Sequence, residues 1–487
     1  MPKPLPRTGL ATVVGLAFGL SLACTVGCDV PSTGDGTGNP ATTDPWADLW
    51  CVPDCTGRVC GDNGCGDICG TCEGDNACTA AGQCLSTAAG SIRGTLKFEA
   101  QWPVVQGATI SLGGPQVFPG ARMLVFSLDT AGELSGAAQA DDEGKFVIPL
   151  ADAAKGDETL LFTTIWAPSL DAENIVFSVL KPQDGGDPAV TASPPWAWQV
   201  PVPAGGDVGQ VTITEAEGSG AMYVFLFTVE AMRSVTQDML NGNPDKLKSL
   251  AVLWAPGIEW SCGACYASGA PQYVDETTKV ADQSVFISGE SGGSSAWGYP
   301  VILHEFGHYV AQNYSRDDSP GGSHQIGQPI VPAFAWSEGW AGFFAVATMS
   351  RWLESPEPVF WDIQQGASFW LDYSGGAHDQ GAFVQPNMDG GLDQLLDECW
   401  VATMLWHVWD GADVPEKQPD GVALGTDAVM KAVASKRFLS YDRGAPGVDF
   451  VDFCDAVVCG QPSMAWPLKQ ALNGLLSFPY DGGSQCP

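Results

Sequence analysis

His304, Glu305 and His308 stand together in "YPVILHEFGHYVAQNY", residues 299–314, and two imidazoles one helical turn apart can share one metal ion. At about 100° per residue all three project from one side of a helix, while Ile302, Leu303, Phe306, Tyr309 and Val310 cover the other. Pro300 suits the first turn, where no amide donor is needed. A helix this apolar is predicted to be buried, and burying unpaired imidazoles and a carboxylate is costly, so the polar side needs a partner. The H-E-x-x-H spacing supplies one: Zn2+ on His304 and His308, with Glu305 reaching a water instead of the metal. A chance match is the alternative in a chain with five histidines.

Two imidazoles leave zinc short of the three protein ligands that an open catalytic site uses. The run after His308, "YVAQNYSRDD", has no histidine at the H-E-x-x-H-x-x-G-x-x-H spacing. A glutamate on a following helix is the other solution. "AFAWSEGWAGFFAVATMSRWL" offers Glu338, with Ser337 as the expected N-cap and Phe343, Phe344, Val346 and Trp352 as the core face. A first-turn glutamate held by the helix dipole is the competing reading of Glu338.

H-E-F-G-H followed by Ser-Glu-Gly-Trp resembles the gluzincin metallopeptidases of the thermolysin clan, and is most similar in wording to fungalysin-like enzymes. "CWVATMLWHVWDG" is similar to the tryptophan-rich helix that follows the metal glutamate in them, and the resemblance spans roughly residues 285–410. It implies an α+β, mostly helical zincin-like domain in which His304, His308 and Glu338 hold zinc. Glu305 would be the general base toward water, and a protein or peptide the substrate. An oxyanion donor is also needed, and His378 in "YSGGAHDQGAF", beside Tyr373, is the first candidate, ahead of His324 and His407. No Gly-Ala-Met-Glu-Asn element for a free amino terminus is present, which favours an endopeptidase.

The chain departs from the clan in two places. "SRDDSPGGSHQIGQP" lengthens the connection between His308 and Glu338, and Gly342 stands where many members carry an aspartate that orients a ligand histidine. Asp397, Glu398, Asp410 or a backbone carbonyl would have to replace it. "QSVFISGES" resembles the edge strand on which such enzymes lay an extended substrate, with a plain core strand as the alternative. Two rivals to the peptidase follow: a zinc-retaining adhesin or binding protein without turnover, and a zinc hydrolase of a non-peptide amide.

These residues sit at the end of a multidomain order. "MPKPLPRTGLATVVGLAFGLSLACTVGC", residues 1–28, reads as an export signal in which Cys24 or Cys28 ends a bacterial lipobox-like run. An ordinary cleaved signal is the alternative. The expected address is an outer-membrane or cell-surface lipid anchor, or the extracellular medium. Residues 29–50, rich in Gly, Thr, Asp and Pro, are expected to be a flexible tether. Residues 51–84 carry Cys51, Cys55, Cys60, Cys65, Cys69, Cys72, Cys78 and Cys84, and read as a disulfide-stapled module, with a zinc knuckle as the alternative. Residues 88–215 run as short apolar strands parted by turns, an all-β sandwich, and "AQADDEGKFVIPL" resembles the carboxypeptidase regulatory-like domain. Residues 216–487 hold every histidine and six further cysteines, for which Cys262–Cys265, Cys454–Cys459 and Cys399–Cys486 are the expected bridges. A net charge of −35 argues against nucleic acid as a partner.

Overall fold

The computed structural model describes residues 90–486 apart from 107–108, 151–153, 168–174, 183–192, 274–278, 290–292, 351–358, 365–366, 379–380, 411–420, 475 and 484, and, upstream, residues 55, 58–60, 69–72, 76–78, 82 and 84–86. The signal-like segment with Cys24 and Cys28, and the tether, lie outside the described residues. Among the described residues no helix is long and apolar enough to cross a membrane. In the cysteine-rich segment Cys55 bridges Cys69, Cys72 bridges Cys84, and Cys60 is also disulfide-bonded.

Residues 91–213 form two four-stranded sheets. One has the antiparallel order Ala197–Pro201, Thr159–Thr163, Leu124–Leu128, Leu134–Gln139. The other is built on Ser91–Gln106, which pairs with Thr109–Pro119, Lys145–Pro149 and, in parallel, Asp207–Ile213. Along Lys145–Pro149, Phe146 and Ile148 alternate inward. Phe146 meets Phe162 of the opposing sheet edge to face at 5.6 Å, which is how the two layers close on a shared interior.

A third sheet lies beyond them. Its strands are β1 (Ile165–Trp166), β2 (Phe177–Leu180), β3 (Leu250–Leu253), β4 (Ala264–Ala267) and β5 (Ser284–Ile287), in the spatial order β4-β5-β3-β2-β1. The strands β2, β3 and β5 run parallel and are buried along their whole length, as parallel strands covered on both faces must be. The segment "QSVFIS" is therefore an interior strand, not the edge strand. The edge is β4, half-buried and antiparallel to β5. Strands β1 and β2 come from before residue 215, so this sheet draws on both sides of that point.

Four helices frame the site: α1 (Gly220–Leu240), α2 (Tyr299–Tyr314), α3 (Pro332–Ser350) and α4 (Glu398–Trp409). Gly425–Val433, Lys436–Ser440, Phe450–Gly460 and Ala465–Gly474 follow as a helical pack. One hydrophobic core runs from Ile92 to Tyr480. Trp102 of the first layers stacks on Tyr299 at the start of α2 at 5.5 Å, and the Trp196 indole N–H donates to the Trp254 carbonyl at 3.0 Å. Helices α2 and α3 cross at Gly307, where a Cβ would lie only 2.9 Å from the Ala341 Cα. That close approach, fixed by the Trp340 indole donating to the Gly307 carbonyl at 3.1 Å, brings the two helices' polar residues within bonding range.

Two expectations are corrected here. Helix α3 begins at Pro332, so Ser337 is not its N-cap but a buried mid-helix residue, and Glu338 is not in the first turn. The cysteines of the last segment form Cys262–Cys265, as expected, and Cys459–Cys486, while Cys399 and Cys454 are free and buried. Cys454 and Cys459 share the helix Phe450–Gly460, where five residues rise about 7.5 Å, beyond the reach of a disulfide.

Candidate metal centre

Helix α2 aims His304 and His308 at Glu338 of α3. His304 Nε2 lies 3.2 Å from Glu338 Oε2, His308 Nε2 3.3 Å from the same oxygen, and the two Nε2 atoms 3.2 Å apart. The three donor atoms thus converge on one point, and the trio can hold a metal ion. Burial alone would raise the Glu338 pKa, but hydrogen bonds and charge from His304 and His308 hold it far below the usual carboxylate range. Burial likewise depresses His308, yet the hydrogen bond to Glu338, with the charges of Glu338, Glu305 and Asp317, lifts it to about 9. The centre therefore favours positive charge, whether a proton or a metal cation.

The acid behind His308 comes from the long connection after α2. The Ser337 hydroxyl donates to Asp317 Oδ2 at 2.9 Å and lies 3.4 Å from His308 Nδ1. Asp317 thus occupies the supporting place for which Asp397, Glu398 and Asp410 were the expected candidates. Asp397 is instead the N-cap of α4, accepting from the Cys399 N–H at 2.9 Å. Gly342 leaves no room for an acid either, because a Cβ there would meet the Tyr373 hydroxyl at 2.5 Å. Tyr373 fills that space and stays protonated, its pKa raised well above the ordinary value by burial and by the neighbouring Cys399, Glu398 and Asp397.

Glu305 points into the same cleft at 6% exposure, and burial raises its pKa against the lowering pull of His304 and His308. The Tyr266 backbone N–H of β4 bonds its carboxylate, which ties the metal helix to the sheet edge. Beyond α3 an antiparallel ribbon, β6 (Val359–Gln364), β7 (Ala367–Asp372), β8 (Ala377–His378) and β9 (Gly381–Ala382), forms one cleft wall. Phe360 of β6 meets the His304 ring edge-on at 5.7 Å. The cleft is about 480 Å³, and its wall opposite the ribbon is Ser261 to Ala264, leading into the β4 edge.

Protein-family models and curated proteins give no match to the chain.

The histidines divide differently from the sequence ranking. His378 stacks on Phe383 at 5.8 Å and is not among the cleft residues, whereas Tyr373 and His324 are. His407 is buried within α4. His324, from the long connection, reaches 3.1 Å from Glu398 Oε2 and 3.7 Å from Glu338 Oε2. Neither Asp317 nor the β4 edge was singled out from sequence. "SRDDSP" following a metal helix was the available signal for the first, while the Gly- and Cys-rich "CGACYASG" gave none for the second.

Proposed function

We propose that this protein is a zinc-dependent peptidase of the gluzincin kind, exported and held at a bacterial surface through Cys24 or Cys28. The observation that carries the reading is the convergence of His304, His308 and Glu338 next to a buried Glu305 in an open cleft. Tetrahedral zinc with bonds of about 2.0–2.1 Å sets its donors roughly 3.3–3.4 Å apart. The observed 3.2 and 3.3 Å separations fit that ion without rearrangement.

Zinc bound there would acidify a water and polarise a scissile carbonyl as a Lewis acid. The chain's own residues supply the rest. Glu305 takes the proton of the attacking water and passes it to the departing amine, a role suited to a carboxylate whose proton affinity is raised by burial. Tyr373, which is among the cleft residues, is the proposed donor to the developing oxyanion in place of His378, which is not. β4 is the terminal strand of its sheet and borders the cleft that holds Glu305, so an extended peptide would align along it by main-chain pairing. The rival of an inactive zinc-binding protein drew on Gly342, and that motive weakens once Ser337 and Asp317 support His308.

Glu305→Gln tests the reading. The amide is nearly isosteric and residue 305 is not a ligand, so zinc content should match the wild type while casein or peptide hydrolysis falls at least about 100-fold. Hydrolysis near wild-type levels would remove Glu305 from the mechanism. Wild-type protein that holds zinc but cleaves no peptide would return the choice to the binding protein or the non-peptide amidase.

A further inference from the structure

The geometry points to a second cation site, formed by His324, Glu398 and Glu338, that shares Glu338 with the first and takes a divalent transition-metal ion. It rests on the reading of His304, His308 and Glu338 as metal ligands. His324 Nε2, Glu398 Oε2 and a Glu338 oxygen lie within 4.8 Å of one another, and the five residues fall into two trios that meet only at Glu338. The spacings of 3.1 Å from His324 to Glu398 and 3.7 Å to Glu338 straddle the roughly 3.3–3.4 Å between donors around such an ion.

Glu398 carries the second, independent observation. It is the first residue of α4, 8% exposed, and faces the cleft, yet its Oε2 has no aligned hydrogen-bond donor although His324 stands 3.1 Å away. A carboxylate oxygen buried this deeply without a donor is costly, and a cation between it and the imidazole removes the cost. His324 is prepared for that role: its Nδ1 faces the Gly322 carbonyl at 3.4 Å and its ring packs edge-on against Phe334 at 5.1 Å. With Nδ1 as the donor in that contact, Nε2 is free to serve as a lone-pair donor toward Glu398 and Glu338. The connection that lengthens the path from His308 to Glu338 is thus the segment that delivers the extra ligand. One imidazole with two carboxylates suits zinc, cobalt or manganese over a soft ion.

The competing account is a neutral, protonated Glu398 that simply packs beside His324. The two differ in stoichiometry. Full-length protein stripped with a chelator and titrated with Co2+ should bind two equivalents, counted by elemental analysis and by calorimetry. Glu398→Gln, and independently His324→Ala on the connection, should each bind one. The paired cobalt ions should also show a spin-coupled, attenuated paramagnetic signal that becomes a full isolated-ion signal in either variant. One equivalent in the wild type, unchanged by Glu398→Gln, overturns the second site and leaves the first standing. Loss of both equivalents in a folded Glu398→Gln protein also overturns it, because Glu398 would then be a support of the first site. No cobalt bound at all overturns both sites together.

Discussion

Two buried charge clusters in this chain are built on opposite principles. In the C-terminal helical pack Asp455 is 0% exposed and accepts from Arg437 at 2.8 Å, from Arg443 at 2.6 Å and from the Tyr480 hydroxyl at 3.0 Å, while Asp452 accepts from Arg437 at 3.1 Å. In the cleft Glu305, Glu338 and Glu398 gather with His304 and His324, with His308 behind them 3.3 Å from Glu338, and no lysine or arginine is among the lining residues. The chain has 21 Lys and Arg against 56 Asp and Glu, so placing two arginines at Asp455 is a selective use of a scarce residue. Buried acids whose cations come from the chain hold the fold together. Buried acids that have imidazoles but no lysine or arginine beside them form a place able to hold a cation from outside.

That contrast can be broken at four points, taken from the largest expected effect. His308→Ala should abolish metal binding at the trio and hydrolysis with it, since one of three ligands is lost, and should leave the thermal midpoint of the metal-free protein close to the wild type. Metal content unchanged by mass analysis would mean that His304, His308 and Glu338 are not a metal site. Arg437→Met should do the reverse, costing about 3–5 kcal/mol by leaving Asp452 and Asp455 short of a buried partner, with metal per folded molecule unchanged in urea titrations. Asp317→Asn should weaken metal binding about 10–100-fold through Ser337 and His308, without loss of stability of comparable size, and an unaltered dissociation constant would remove Asp317 from the support of the site.

The smallest effect is Asp481→Asn. Asp481 is half exposed and pairs with Arg443 at 3.1 Å. Partial burial would raise its pKa, but the Gly483 N–H and Arg443 lower it below the usual value. Its contribution is therefore present at neutral pH and is lost as pH falls through the depressed folded-state pKa. The variant should cost about 0.2–1 kcal/mol at pH 7, a difference that shrinks below about pH 4. A difference that grows in acid would reverse the sign of the pair.

The helix that carries His304 and His308 was legible because its polar pair and its periodicity lie within one segment: the two are one turn apart, and the apolar side of the same turn is what buries it. Glu338 was legible as a residue, but its helix was misplaced. Pro332 marks the start, and Ser337, a strong capping type, is spent sideways on Asp317, a contact no local pattern encodes. For "QSVFISGES" the sequence left edge strand and core strand open, and the burial of "SVFI" along its whole length is the mark of a strand covered on both faces. The true edge, "ACYA", is half-buried and reads weakly. The free Cys399 and Cys454 show the limit of even-number arithmetic, since both are buried without a bridge while the exposed Cys486 takes Cys459.

The shared third sheet has a consequence for how the protein is made. Phe177 pairs with Leu250, and Leu250–Leu253 in turn lies beside Ser284–Ile287, so neighbouring strands are far apart along the chain. Parallel pairing over such distances closes large loops before any reward and folds slowly. On a chain emerging amino end first, Phe177–Leu180 pairs with Ile165–Trp166 on one side and waits with its other edge open until Leu250–Leu253 has been synthesised. The helix bearing His304 and His308 cannot dock until that wait is over. Cutting at the boundary in sequence texture would strand β3 with a bare edge, and the cleft lined by His304 and Glu338 stays unassembled until residues on both sides of that boundary are present.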